Sequence, residues 1–406
     1  MKSRNRHIRT HLLLWIISIA LVSSCSLKVE RLDQPAATIV PSATLPVVTA
    51  TATPLPITEI LPTPTAQQTT ELSVTQECIP IEEEMPDDLI LSGVWVRNRG
   101  KPYLEPMDGS TAYGVPLKGG GTFSASQVDM AISPDGRSLA YIDSFLDDTG
   151  IHTQSRILRI INSSGRSLPM DYWIISWQWL IGWLDNQHIA IFTGNKEILI
   201  LEPFTGKWER LPKPSWLNRI GYSVNDGPFY SPSVDRILVK PDYSMFELRD
   251  FQTGQIIYKV KGDEYLTGLN LDWSADGYTL AINLGNLLNI ITKDQRVIEL
   301  DASKLGIDRF DNPKLSPGGQ KLVFTSHWSG KWFLFDMEQS EIRKLCSDKF
   351  DYWENAVWSP DGRFVVQEVD RSGSDPFDLL IDTQQMRAYK LVSGRYQHRL
   401  AWLAEP

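Results

Sequence analysis

The sequence predicts an all-β protein, a β-propeller of four-stranded blades, from three observations. A turn built around Ser-Pro-Asp-Gly recurs along the chain, its copies are spaced at the length of one four-stranded unit, and the two ends of the series are complementary fragments of one more unit. Composition is compatible with a large core, with 42% hydrophobic residues and 14 Trp. The chain is nevertheless made of two materials. All 27 glycines lie at or after Gly93, and no aromatic residue occurs from Ile16 to Val94.

Four segments carry the repeat: Ala131-Ile132-Ser133-Pro134-Asp135-Gly136, Asp272-Trp273-Ser274-Ala275-Asp276-Gly277, Lys314-Leu315-Ser316-Pro317-Gly318-Gly319 and Val357-Trp358-Ser359-Pro360-Asp361-Gly362. Two weaker copies are Trp183-Leu184-Asp185-Asn186 and Tyr230-Ser231-Pro232-Ser233. Anchors at Pro134, Leu184, Pro232, Ala275, Pro317 and Pro360 stand 50, 48, 43, 42 and 43 residues apart. In each turn Pro fixes φ, Gly accepts a positive φ, and Asp caps the backbone. Asp135, Asp276 and Asp361 are therefore read as structural.

An apolar run precedes each turn and a β-rich run such as Ser138-Leu139-Ala140-Tyr141-Ile142 follows it. A third run, as in Phe246 to Asp250, reaches a second turn at Thr253-Gly254, and Gln255 to Val260 completes the unit. Six such units start near residues 129, 179, 227, 270, 312 and 355. Upstream, Gly93 to Arg97 and Pro102 to Glu105 resemble second and third strands without a first. Downstream, Leu400 to Leu403 is a first strand without the rest. Together they make a seventh blade closed by the C-terminal strand, which removes exposed sheet edges. Six and eight blades are the alternatives.

The Ser-Pro-Asp-Gly and Leu-Ala-Tyr runs resemble the WD40-like repeats of TolB-type periplasmic propellers, over about residues 89 to 406. The turn motif departs from that pattern at Leu184, Ser233 and Gly318. The amino-terminal half-domain of TolB has no counterpart here, and the resemblance does not carry over the TolB role.

The first 25 residues read as an address. Lys2, Arg4, Arg6 and Arg9 precede an apolar stretch, Leu12 to Val22, too short for an ordinary membrane span. It ends Val22-Ser23-Ser24-Cys25, which resembles the lipobox of bacterial lipoproteins and implies a signal peptide over 1–24 and lipidation of Cys25. The expected location is the extracytoplasmic face of a bacterial membrane. Residues 25–76 are expected as a lipidated tether: 31–76 hold 7 Pro and 11 Thr among 46 residues, a composition that favours extended chain and cannot offset its ordering entropy. Its upper reach is roughly 140 Å. The propeller is expected over 77–406.

Charge excludes some partners. The formal net charge is −9, and loss of the four basic residues of the leader takes it to −13. Lys314, Lys321, Lys331, Arg343 and Lys344 are interspersed with acids, so no basic stripe for a nucleic acid is formed. Cys78 and Cys346 remain after Cys25, and can form one disulfide or stay independent thiols.

No catalytic signature stands out. No Gly-x-Ser-x-Gly elbow occurs, and His152, His188, His327 and His398 form no zinc-ligand spacing, so no metal or cofactor is expected. His188 is read as a packed strand residue and the other three as loop residues. The acid pairs Asp147-Asp148 and Asp263-Glu264 support the alternative reading, a propeller hydrolase or lyase acting on glycans or peptides. The preferred reading is a monomeric binding module for an envelope protein, a peptide or a carbohydrate. Its candidate binding face gathers the variable connections and carries Asp147, Asp148, Trp216, Tyr222, His327, Trp328, Tyr352 and Trp353. For each aromatic, packing of its loop against the blades is the competing reading.

Overall fold

The computed structural model describes residues 73–75, 77–98, 102–107, 113–114, 130–146, 152–165, 172–175, 179–193, 197–219, 229–242, 244–262, 270–346, 353–369, 377–392 and 398–406. All belong to one compact unit, Thr63–Pro406. They form seven sheets. Blade 1 is Met130–Ile132, Ser138–Leu146, His152–Asn162 and Tyr172–Ile175, and blade 2 is Trp179–Trp183, Ile189–Phe192, Ile198–Glu202 and Lys207–Leu211. Blade 3 is Phe229–Tyr230, Arg236–Asp242, Met245–Asp250 and Ile256–Lys261, and blade 4 is Asn270–Trp273, Leu280–Asn283, Leu287–Ile291 and Val297–Asp301. Blade 5 is Phe310–Leu315, Lys321–Ser326, Trp332–Asp336 and Glu341–Lys344, and blade 6 is Trp353–Trp358, Phe364–Val369, Phe377–Asp382 and Arg387–Val392. Six first strands thus begin within two residues of the starts expected from the repeat.

Blade 7 joins the two ends of the domain. His398–Leu403 pairs antiparallel with Val94–Asn98 (Trp95 opposite Trp402, Val96 opposite Ala401), followed by Pro102–Pro106 and Tyr113–Gly114. Gly93 is required there. Its φ is +117°, and a Cβ at this position would lie 2.4 Å from the Leu403 carbonyl oxygen. The Trp402 indole donates to the Ser92 carbonyl at 3.0 Å, and the Ala404 amide donates to Gly136 of blade 1 at 2.8 Å.

Side chains alternate across each strand, and both faces of each sheet are buried. Leu139 and Tyr141 of blade 1 pack with Val94, Val96 and Leu403 of blade 7, while Ala140 and Ile142 pack with Trp183 and Ile191 of blade 2. The remaining interfaces follow the same rule, giving seven apolar clusters, each shared by two consecutive blades. This explains why the second and third strands read as continuous apolar runs.

The repeated turn is held by its own side chains. Ser274 Oγ donates to Asp276 Oδ1 at 2.6 Å and accepts the Thr279 amide at 2.9 Å. The amides of Gly277 and Tyr278 donate to the Ser274 carbonyl and to Asp276 Oδ1 at 2.8 and 3.0 Å. Ser133 with Asp135 and Ser359 with Asp361 repeat the arrangement. Gly277, at φ +74°, also leaves room for the neighbouring turn, since a Cβ there would lie 2.5 Å from Ser233 Oγ of blade 3.

The degenerate copies solve the same problem differently. In blade 3, Val234 takes the glycine position at φ +59°, its amide bonded to the Ser231 carbonyl at 2.9 Å. Burial of its side chain in the cluster between blades 2 and 3 offsets part of the strain of a β-branched residue there. In blade 2, Asp185 accepts the amides of Gln187 and His188 at 2.7 and 2.8 Å. Burial alone would raise the Asp185 pKa, yet its hydrogen bonds with His188 and the Gln187 amide hold it below the usual carboxylate value. His188 is therefore a turn residue bonded through Nδ1 to Asp185, not the packed strand residue expected. His152 and His398, expected in loops, lie in strands.

The segment preceding blade 7 lies along sheet edges. Ser73–Val74 adds in parallel to the fourth strand of blade 5, and Ile81–Glu82 adds in parallel to that of blade 6. Cys78 and Cys346 are joined by a disulfide, with Cα atoms 5.0 Å apart.

Candidate functional site on the loop end of blade 5

In a four-stranded antiparallel meander, the first-to-second and third-to-fourth connections leave from one end of the sheet. The second-to-third connection and the passage to the next blade leave from the other. The Ser-Pro-Asp-Gly turns thus occupy one end of the ring, and the connections between blades start and finish at the other, the loop end.

Blade 5 concentrates polar and aromatic groups at that loop end. Ser326 to Lys331 joins its second and third strands, and Asp308 to Asp311 leads into its first. The loop is fastened from below: Ser326 is buried, its amide donates to the Lys331 carbonyl at 2.9 Å, and the His327 amide donates to the Arg309 carbonyl at 3.1 Å. His327 Nδ1 stands 2.9 Å from Asp311 Oδ2, and Nε2 stands 3.0 Å from Arg309 Nη2. A guanidinium can only donate, so Nε2 accepts, and the ring proton belongs on Nδ1, where it is donated to Asp311. The imidazole is thus held in one orientation from both sides.

Trp328 stands on this base. Its amide donates to Asp308 Oδ2 at 3.1 Å, and its ring meets His327 edge-to-face with centroids 4.8 Å apart. The side chain is 81% exposed, the most exposed aromatic among the described residues. A rigid ring has little rotamer entropy to lose on binding, and here it is fixed through its own amide by Asp308 and edge-on by His327. The backbone beneath is irregular. The first strand carries a bulge between Asp311 and Lys314, with Asn312 at φ +46°.

Of the other expected face residues, Trp216 and Trp353 lie among the described residues. Trp216 is a correction: its connection, expected at the loop end, carries it to the turn end of blade 3. There its indole donates to the Phe251 carbonyl at 3.0 Å and its ring fills the space above Gly254. The short 3-10 helix Ser215–Arg219 holds it, because Leu217 is fully buried between blades 2 and 3 and pulls the connection inward. Trp353 begins the first strand of blade 6, opposite Val369, and so lies at the loop end. Asp147, Asp148, Tyr222 and Tyr352 lie outside the described residues, as do Cys25 and the Asp263-Glu264 pair.

Arg309, Asp308 and Asp311 were not singled out by sequence reasoning. Nothing in the Asp308-Arg309-Phe310-Asp311 run sets these charged residues apart from others that flank a core aromatic. A structural role was also missed. The Trp183 and Trp358 indoles donate to Ala131 and Lys314 carbonyls of the preceding blades at 3.0 and 3.1 Å, which ties first strand to first strand. Lys314 and Asp272 do the same at 3.0 Å.

Among the described residues no group of three or more His, Cys, Asp or Glu could hold a metal ion, and no helix is long and apolar enough to cross a membrane. The chain matches no family model and no curated protein. Among solved structures it is similar to the β-propeller domain of Cps50 (Swd1) from Myceliophteria thermophila, with a TM-score of 0.42 and 12% identity, over 76% of this chain and 100% of that one.

Proposed function

We propose that this propeller is a lipid-anchored, extracytoplasmic binding module of a bacterial envelope, recognising a glycan or peptide through the loop end of blade 5. The observation that carries the reading is the exposed Trp328 ring, fixed against His327, which is itself held between Asp311 and Arg309. An aromatic platform with oriented donors and acceptors at its rim suits stacking combined with a few directional hydrogen bonds. Anchoring is inferred from the leader that ends at Cys25 and the Thr/Pro-rich tether that follows. The TolB-type resemblance agrees with an envelope location.

The test is binding of the purified protein to glycan and peptide arrays. Trp328→Ala should lower retention about tenfold while stability stays within about 0.5 kcal/mol, the usual range for an exposed substitution. Undiminished retention by Trp328→Ala would move the site away from blade 5.

A further inference from the structure

The segment 73–91 follows the outside of the ring in chain order, from blade 5 to blade 6 to blade 7. Ser73 donates to Ser340 at 3.1 Å, Thr75 to Ile342 at 3.1 Å, and Ile79 to Lys344 at 2.8 Å. Cys346 donates back to Ile79 at 2.8 Å, and Ala388 of blade 6 donates to Pro80 at 3.0 Å. Ile79 is 1% exposed in the cluster between blades 5 and 6. Met85, Leu89 and Leu91 then pack on the cluster between blades 6 and 7. The next element, Val94–Asn98, lies between the C-terminal strand and the rest of blade 7.

This belt is weakly held strand by strand. Each parallel addition spans two residues, and net hydrogen-bond contributions are about 1 kcal/mol apiece. The ion pairs Arg387–Glu82 and Lys390–Glu83, at 2.9 and 2.6 Å, are solvent-facing and contribute little. A short edge addition of this kind opens locally at low free energy. Opening that began at the N-terminal side would travel along the belt and reach Val94–Asn98, the strand that holds His398–Leu403. The Cys78–Cys346 bond stands across that route, after the first edge addition and before the second.

We infer that the disulfide acts as a stop, confining N-terminal opening to residues before Cys78 and insulating the closing sheet of blade 7 from the chain that precedes it. A pull or a fray arriving through the preceding chain is passed at Cys78 into the outer edge of blade 5, and the closing pair stays loaded only by its own packing.

Hydrogen exchange followed by mass spectrometry on the full oxidised chain tests this. In Cys78→Ser/Cys346→Ser, exchange should accelerate about tenfold or more over residues 79–91, and also in 94–98 and 398–403, while 189–192 and 280–283 keep their rates. Acceleration confined to 79–91, or spread evenly through all blades, would overturn the inference. A second variant, Arg387→Ala/Lys390→Ala, keeps the disulfide and loses the ion pairs of the belt, together with the contact of Lys390 over the Phe377 ring. It should leave 94–98 unchanged, and acceleration there to the level of the cysteine variant would equally overturn it.

Discussion

Trp402 offers the sharpest probe of how the ring is closed. It is 2% exposed, lies 4.4 Å from the Trp95 ring and 6.0 Å from the Phe364 ring, and donates to the Ser92 carbonyl. It therefore joins the C-terminal strand to its partner strand and to blade 6 at once. Burying a Trp removes about 150–250 Å² from water, which at about 25 cal/mol per Å² gives roughly 4–6 kcal/mol as an upper estimate. Observed costs for truncating a buried Trp to Ala are about 3–5 kcal/mol, and the Ser92 carbonyl would also lose its donor, at about 1 kcal/mol. Trp402→Ala should thus lose about 4 kcal/mol. The assay is urea unfolding read by far-UV circular dichroism, with a lower midpoint and an unchanged slope. Trp208→Ala serves as control: this side chain, on the outer strand of blade 2, is 42% exposed and should cost about 1 kcal/mol or less. A loss below about 1.5 kcal/mol for Trp402→Ala, or one no larger than the control, would refute a ring whose stability runs through the closing sheet.

Two further outcomes are expected. Asp382 is fully buried and pairs with Arg363 at 2.6 Å; burial alone would raise its pKa, but the Arg363 hydrogen bond and the amides of Gln385 and Gln384 hold it below the ordinary carboxylate value. Its stabilisation is therefore complete above the unfolded pKa of about 4 and is lost as pH falls through the lower folded value. Asp382→Asn should cost about 2 kcal/mol at pH 7, and urea midpoints should converge with those of the parent as the medium is acidified below about pH 4. A gap independent of pH would point to lost shape complementarity instead of lost charge. Cys25→Ser should abolish acyl labelling and membrane retention, measured by fractionation with labelled fatty acid; retained, labelled protein would remove the lipid anchor from the proposal.

Blade positions were legible because the information is local. A Ser, an Asp and a Gly within four residues build one turn, as at Ser274 to Gly277, and the apolar runs on either side follow from the two-residue alternation of strands. Spacing located even the copies whose residues had changed. It could not tell that Val234 would adopt a positive φ or that His188 would serve a turn, because both depend on neighbours supplied by other parts of the chain. At the candidate site, His327 and Trp328 were legible as an aromatic pair in a variable connection. Their partners Arg309 and Asp308 were not, since the sequence separates them by a strand pair that only folding brings together.

What the sequence by itself determined is the material of each region and the repeat: a basic and then apolar N-terminal stretch, a Thr/Pro-rich stretch, and units of four strands whose terminal fragments complete each other. Tertiary structure alone decided where the connections go. The belt over blades 5 and 6 adds to sheet edges through backbone carbonyls, which every residue supplies, and amides, which all but proline supply, and these leave no side-chain signature. Trp216 turned inward because burying Leu217 and filling the space above Gly254 outweighed keeping that ring at the loop end. Such choices are made by contacts between residues distant in sequence, and they exist only once the blades stand beside one another.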